Sequence, residues 1–221
     1  MSIISRKLEF LLSIPKSLYV SLKLCSFKQA MHLPIVVRYN TKILGVNGSA
    51  SILGGDRIRI GFGQISEFDK KYERSIIRFN GKLVVNTPCW FGQGCRINSE
   101  SNSSLKIGRN FVNTANLIIS NKGNITIGND CLVSWNTWIS DTDFHKVVNM
   151  NTGESSIPNG EIHIGDKVWI GANSTVMKDS VIPNGCILGA GSLINKPFTE
   201  DNCLLAGVPA IVRKKNVSWN K

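Results

Sequence analysis

Histidine is scarce in this chain. Only His32, His145 and His163 occur in 221 residues, and their spacing matches no metal-binding motif, so no metal centre is expected. The six cysteines contain no Cys-x-x-Cys pair, which argues against a zinc ribbon or a redox pair, and they read as reduced thiols of a cytoplasmic protein. No apolar run is long enough to span a bilayer, and the first forty residues lack a cleavable signal pattern. Acidic residues are few, 15 against 26 lysines and arginines, for a formal charge of +11. The basic residues are spread along the chain without an aromatic-basic recognition motif, so nucleic acid is not the expected partner. A phosphate-bearing cofactor or an anionic membrane surface suits that charge better.

Helical periodicity is also missing from most of the chain. In its place an aliphatic residue returns every six positions: Ile164, Ile170, Val176, Ile182, Leu188 and Ile194. Four residues after each lies a mostly small residue, Val168, Ser174, Ser180, Cys186 and Ser192, until Phe198 ends the series. A period of six fits neither the 3.6 of a helix nor the 2 of a lone strand. It fits short strands joined by tight corners, three sides to a triangular coil of about eighteen residues. The aliphatic residue then points inward and stacks on its equivalents, the small one fits a narrow interior near a corner, and Gly165, Gly171, Asn184, Gly185, Gly189 and Gly191 turn the corners. Cys89, Cys95, Cys131 and Cys186 fall at small-residue positions and are expected as core.

The phrases IGDKVWIGA (164–172), GAGSLI (189–194) and AGVPA (206–210) before a basic tail resemble the hexapeptide-repeat acyltransferases. The resemblance covers roughly residues 45–215. It implies an all-β fold, a left-handed parallel β-helix with an N-terminal helical cap and a short C-terminal tail. The expected divisions are a helical segment over 1–44, the β-helix over 45–200 with an inserted loop at 146–161, and the tail over 201–221.

Residues 1–40 are basic and amphipathic, with Leu8, Leu11, Leu12, Leu18, Leu22, Phe27 and Met31 at helical spacing, interrupted by Pro15 and stopped by Pro34. They are expected to cap the open end of the β-helix and to make peripheral contact with an anionic membrane. From Ile58 the repeat begins loosely, and the phrases IRIG (58–61), LKIG (105–108), ITIG (125–128) and IHIG (162–165) each open a new run. Residues 66–75 and 98–104 are polar enough to be exposed loops.

The run Ile127, Val133, Ile139 meets His145 where an aliphatic residue is due, and sixteen residues without hexapeptide order follow. Packing explains an imidazole there poorly. In the resembled family a histidine before a protruding loop is the catalytic base, which implies that role for His145. Asp141 and Asp143, four and two residues before it, share its face if the strand stays straight. Asp143 would then orient the ring and Asp141 would face substrate. Trp135 and Trp138 are candidates to wall an acceptor pocket. The resemblance implies a coenzyme A groove at Trp169, Gly171, Ala172, Ala190 and Gly191, with Lys196, Arg213 and Lys214 near its phosphates. The family's asparagine one coil from the histidine falls at Thr114 in FVNTANLII, so neither Asn113 nor Asn116 is assigned a role.

The resemblance thus implies transfer of an acetyl group from acetyl-CoA to a hydroxyl of a sugar, in a surface polysaccharide or its precursor. His145 would act as general base in a ternary complex, within a homotrimer. N-acetylation of an amino sugar, or acetylation of serine or an antibiotic, is the enzymatic alternative. A γ-carbonic-anhydrase-like zinc enzyme and a non-catalytic scaffold are weaker ones.

Overall fold

The computed structural model describes residues 3–63, 65, 67–68 and 73–220, with side chains from residue 7. The chain winds into a triangular parallel β-helix whose three faces are sheets of nine, seven and six strands. Face one carries Trp169, face two Trp138 and face three His163. Pairing is parallel throughout the coils, with register such as Leu132 on Trp169 on Ile187.

The hexapeptide columns are the core. Ile164, Ile170, Val176, Ile182, Leu188 and Ile194 are all fully buried, as are Val168, Ser174 and Cys186. Each buried aliphatic side chain contributes roughly 1.5–3 kcal/mol before the entropy of ordering is counted, and stacking in register makes that gain repeat coil by coil. Glycine is required at two corners for different reasons. Gly191 has a φ of +70°, whereas a Cβ on Gly171 would lie 2.6 Å from the Ala190 backbone nitrogen of the next coil. Cys89, Cys95, Cys131 and Cys186 are buried at the small-residue positions the pattern gives them.

The first coil starts earlier than the repeat pattern indicates. Ile35–Val37, Lys42–Gly45 and Ser49–Leu53 form one side each, and Ile35, Val36 and Val37 are buried. This coil lacks a regular six-residue phase, which hides it in the sequence. Its first strand pairs with the IRIG strand on face one, whereas LKIG, ITIG and IHIG stack on face three. At the other end, Leu204–Gly207 still adds to face one before Ala210–Lys214 folds back antiparallel.

Two further expectations are corrected. Residues 98–104 are not a loose loop. Ser99 and Ser103 are buried at a corner, their hydroxyls 2.8 Å apart, and Ser99 donates to Asn121 Oδ1. Polar residues can line this corner because each finds a partner inside it. Of the other expected loop, residues 66 and 69–72 lie outside the described residues.

The N-terminal segment is one helix, α1 (Ile3–Leu24), running through Pro15, followed by a short turn of helix, α2 (Phe27–Ala30). Pro15 is tolerated because it lies on the exposed side, where water can satisfy the carbonyl left without its intrahelical donor. The face that packs on the coil is not the leucine face. Ser13, Ser17 and Ser21, spaced by four, are fully buried against the edge strand Ile35–Val37. Ser17 Oγ accepts from Val37 N at 3.0 Å, Ser13 Oγ accepts from Tyr39 N at 3.0 Å, and Ser21 Oγ donates to Ile35 O at 3.3 Å. The serine ladder thus satisfies backbone groups that an open sheet edge would leave without partners. Arg38 and Glu9 form a buried ion pair of 2.8 Å alongside.

Candidate active site

Three edges separate the faces, and the sequence candidates fall on two of them. The edge between faces two and three carries the insertion. After Trp138–Ser140 the chain leaves the coil and returns at Glu161–Ile164. Between them lies an antiparallel hairpin, bridged at Thr142 with Asn159 and at Val148 with Ser155. The excursion therefore starts at Asp141, earlier than the loop boundary at 146, and His145 does not occupy an inward position. It lies exposed near the root of the hairpin, and among the described residues no side chain hydrogen-bonds its ring. The hairpin exposes Val147, Val148, Met150 and Ile157, with Met150 91% accessible.

Asp141 departs from the acceptor-facing role expected of it. It is fully buried, its Oδ1 accepting from Lys122 N at 2.7 Å and its Oδ2 from Gly123 N at 2.9 Å and Asn121 Nδ2 at 2.6 Å. Burial raises its carboxyl pKa above the usual carboxylate range, and these donors only partly offset that. Asp141 is a corner former. Asp143 and His145 do not share a straight strand either, because Phe144 between them takes a φ of +63°. The backbone N–H of His145 donates to Asp143 O at 2.8 Å, while the Asp143 carboxylate pairs with Lys178 Nζ at 2.7 Å. Lys178 Nζ also donates to Ile157 O at 2.8 Å, so one lysine of the next coil holds both arms of the hairpin. The sequence gives little sign of this role, since Lys178 is one basic residue among 26.

The edge between faces one and two collects most of the cofactor candidates. Gly171 and Ala172 turn this corner in one coil and Ala190 and Gly191 in the next, with Gly191 N donating to Ala172 O at 2.8 Å. Arg213 reaches the same end of face one, where its Nε donates to Ala206 O at 3.2 Å. Trp169 lies on face one, half-exposed, its Nε1 donating to Ser134 Oγ at 3.2 Å. The tail folds back over it, bringing the Trp219 ring to 6.1 Å, a neighbour the repeat pattern does not reveal. Trp135 sits at this edge against Phe68, with ring centroids 6.4 Å apart. Trp138 lies on face two between the edges, its Nε1 donating to Ser120 Oγ.

Two cofactor candidates stand apart from that corner. Lys196 is on the His145 edge, its Nζ over the Phe198 ring. Lys214 pairs with Leu204 at the opposite end of face one. Asn113 is buried, its amide donating to Ala115 O and Val133 O and its oxygen accepting from Gly92 N, which makes it part of the core. Among the described residues no three histidine, cysteine, aspartate or glutamate side chains converge as metal ligands.

Residues 161–196 match the family model described as bacterial transferase hexapeptide (six repeats). The chain is 28% identical over 194 residues to a 24.8 kDa protein in the cps region of Klebsiella pneumoniae, covering 87% of this chain and 82% of that one. It is 32% identical over 130 residues to the polysialic acid O-acetyltransferase of Neisseria meningitidis, covering 59% of this chain and 60% of the relative's length. The crystal structure of the polySia specific acetyltransferase NeuO aligns with a TM-score of 0.50 at 20% identity, covering 85% of this chain and 89% of that one, and shares the fold.

Residues 161–196 thus carry the bacterial transferase hexapeptide repeat, and the coils form a left-handed parallel β-helix, the fold shared with that acetyltransferase structure. A polysaccharide O-acetyltransferase is therefore among the proteins it is similar to.

Proposed function

We propose that the protein transfers an acetyl group from acetyl-CoA to a sugar hydroxyl of a surface polysaccharide or its precursor, with His145 as general base. The observation that carries this reading is His145 itself, an accessible imidazole beside a hairpin that the coil lysine Lys178 fixes at both arms. The donor supplies an activated thioester. The imidazole takes the proton of the acceptor hydroxyl as that oxygen adds to the acyl carbon, and it returns a proton to the departing sulfur. Direct attack in a ternary complex suits the site better than an acyl-enzyme, because the cysteines are buried in the core or, for Cys25, beside α1. Burial also raises the Cys25 thiol pKa to about 11, away from the thiolate a nucleophile needs.

Asp143 supports His145 in this reading by setting the hairpin root, since its carboxylate is committed to Lys178. Trp138 and Trp135 are offered as acceptor contacts. Trp169, Gly171, Ala172, Ala190, Gly191 and Arg213 form one continuous strip for the cofactor, with Lys196 and Lys214 as outlying phosphate contacts.

The reading includes a homotrimer. His145 and the Gly191 corner lie on opposite edges of face two, about 15 Å apart for five extended residues. One copy therefore does not bring them together, whereas the His145 edge of one subunit can meet the cofactor edge of the next. The exposed apolar arm of Val147, Val148, Met150 and Ile157 would be covered in the same contact. A polymeric acceptor is supported by the likeness to the polysialic acid enzyme and by the basic charge of the chain. The test is incubation with acetyl-CoA and de-O-acetylated surface glycan. Acetyl esters on the glycan, by mass spectrometry and alkali lability, are the expected product. Alkali-stable acetyl would assign an amide and an amino-sugar acceptor.

A further inference from the structure

The helix α1 is mounted with its apolar side outward. Its buried stripe is Ser13, Ser17 and Ser21, each 0% exposed, joined by Val20 and Leu24. Its free stripe is Leu8 at 56% exposure, Leu11 at 58%, Leu12 at 54%, Tyr19 at 48% and Leu22 at 44%. At 100° per residue these five side chains fall within about 100° of arc, directly away from the coil. The helix cannot turn over to hide them, because Ser13, Ser17 and Ser21 are bonded to the edge strand and Lys16 Nζ donates to both Tyr39 O and Thr41 O. The stripe continues past the helix end through Phe27, 73% exposed, and Met31, 57% exposed.

Monomeric surfaces seldom leave so continuous an apolar band in water. Lys7 and Lys23 are exposed on either side of the band on α1, and Lys28 is exposed beside its extension. Among the described side chains of α1 the one carboxylate is Glu9, and it is buried on Arg38 on the opposite side. Leucines and aromatics along one line with lysines on its flanks form the profile of a helix lying in a membrane interface. There the apolar side chains enter the acyl boundary and the ammonium groups meet anionic headgroups. A protein partner of the same shape would need acidic residues on both flanks of an apolar groove, whereas a lipid surface supplies that pattern along its whole extent. No helix among the described residues is long and apolar enough to cross a bilayer, so the contact lies in the interface plane.

We infer that the exposed leucine stripe of α1 docks the enzyme onto an anionic lipid bilayer, with the serine stripe holding the β-helix on the other side of the same helix. The inference rests on the helix alone and stands whether or not the acetyl-transfer reading is right. It is tested by sedimenting the full chain with vesicles of phosphatidylglycerol and phosphatidylcholine, and with phosphatidylcholine alone. Binding to the anionic vesicles is expected to be at least about tenfold tighter and to weaken in about 0.5 M NaCl. The triple variant Leu8→Ser, Leu11→Ser, Leu22→Ser changes only exposed positions, so its melting temperature should be retained, and its vesicle binding should fall by at least about tenfold. A second variant, Lys7→Glu with Lys23→Glu, should lose the preference for anionic vesicles. Failure of the wild-type chain to bind anionic vesicles would overturn the inference. Unchanged binding by the leucine variant would do so too, by placing the contact elsewhere. A drop in molar mass of that variant by light scattering would show that a second copy covers the stripe, and would also overturn it.

Discussion

Lys178 Nζ lies 2.7 Å from Asp143 Oδ2 and 2.8 Å from Ile157 O, so a single side chain from the following coil joins the outgoing and returning arms of the hairpin that begins beside His145. The hairpin is therefore positioned by a group that belongs to the rigid repeat. Removing it should loosen the hairpin without damaging the coil.

For Lys178→Ala the expected result is a loss of kcat of roughly tenfold, because a misplaced general base acts on a poorly aligned hydroxyl. The melting temperature should stay close to wild type, since a partly exposed ion pair contributes about 1 kcal/mol or less. Hydrogen exchange should rise in residues 142–159 and nowhere in the coils. Unchanged exchange in that segment would show that the lysine does not hold the hairpin.

Asp141 carries the neighbouring corner. Asp141→Ala leaves Lys122 N, Gly123 N and the Asn121 amide facing an apolar methyl, and the expected loss of stability is about 2–4 kcal/mol. The sign of the pH dependence follows from the raised pKa. The carboxyl binds its proton more tightly folded than unfolded, so its contribution is fullest below the unfolded value and declines as pH rises through the folded one. The gap between wild type and variant should therefore narrow over the interval in which pH rises above about 4, the ordinary carboxylate value, in denaturant titrations. A gap that widens over that interval would mean the hydrogen bonds, not burial, dominate.

The buried thiols give a chemical check on the core. Cys95 is held at about 11 and Cys89 higher still, both by burial, and Cys186 and Cys203 are raised as well. Iodoacetamide at neutral pH should leave these four unmodified in the native protein and alkylate all six cysteines in denaturant. Rapid native labelling of Cys89 or Cys95 would contradict the coil packing.

If the proposed cofactor contacts hold, Arg213→Ala and Lys196→Ala should each raise KM for acetyl-CoA several-fold, and by more than they raise it for acetyl-dephospho-CoA. Equal effects with the two donors would remove these side chains from phosphate recognition. Lys214, at the far end of face one, should show the weakest effect of the three.

Much of the fold was legible because a six-residue period has few physical solutions. Ile164 to Ile194 are buried where the period puts them, and the small residues between them fill the corners. The first coil escaped notice because Ile35–Val37 and Ser49–Leu53 are separated by irregular corners. The orientation of α1 escaped because leucine periodicity reports an amphipathic helix but not which side finds a partner. Here hydroxyls that can close a sheet edge outcompete leucines for the protein side. At the site, the break in the repeat located the hairpin and His145, while the roles of Asp141 and Asp143 depended on Phe144 adopting a left-handed conformation that residue type does not signal. Lys178 was invisible, since its partners are 35 and 21 residues away.

The most direct test of the central claim is the single-turnover rate of His145→Ala with acetyl-CoA and the glycan acceptor, alongside donor affinity by calorimetry. A roughly hundredfold to ten-thousandfold loss of rate is predicted, with donor affinity and melting temperature close to wild type. A rate within a few-fold of wild type would contradict the account and remove His145 from the chemistry.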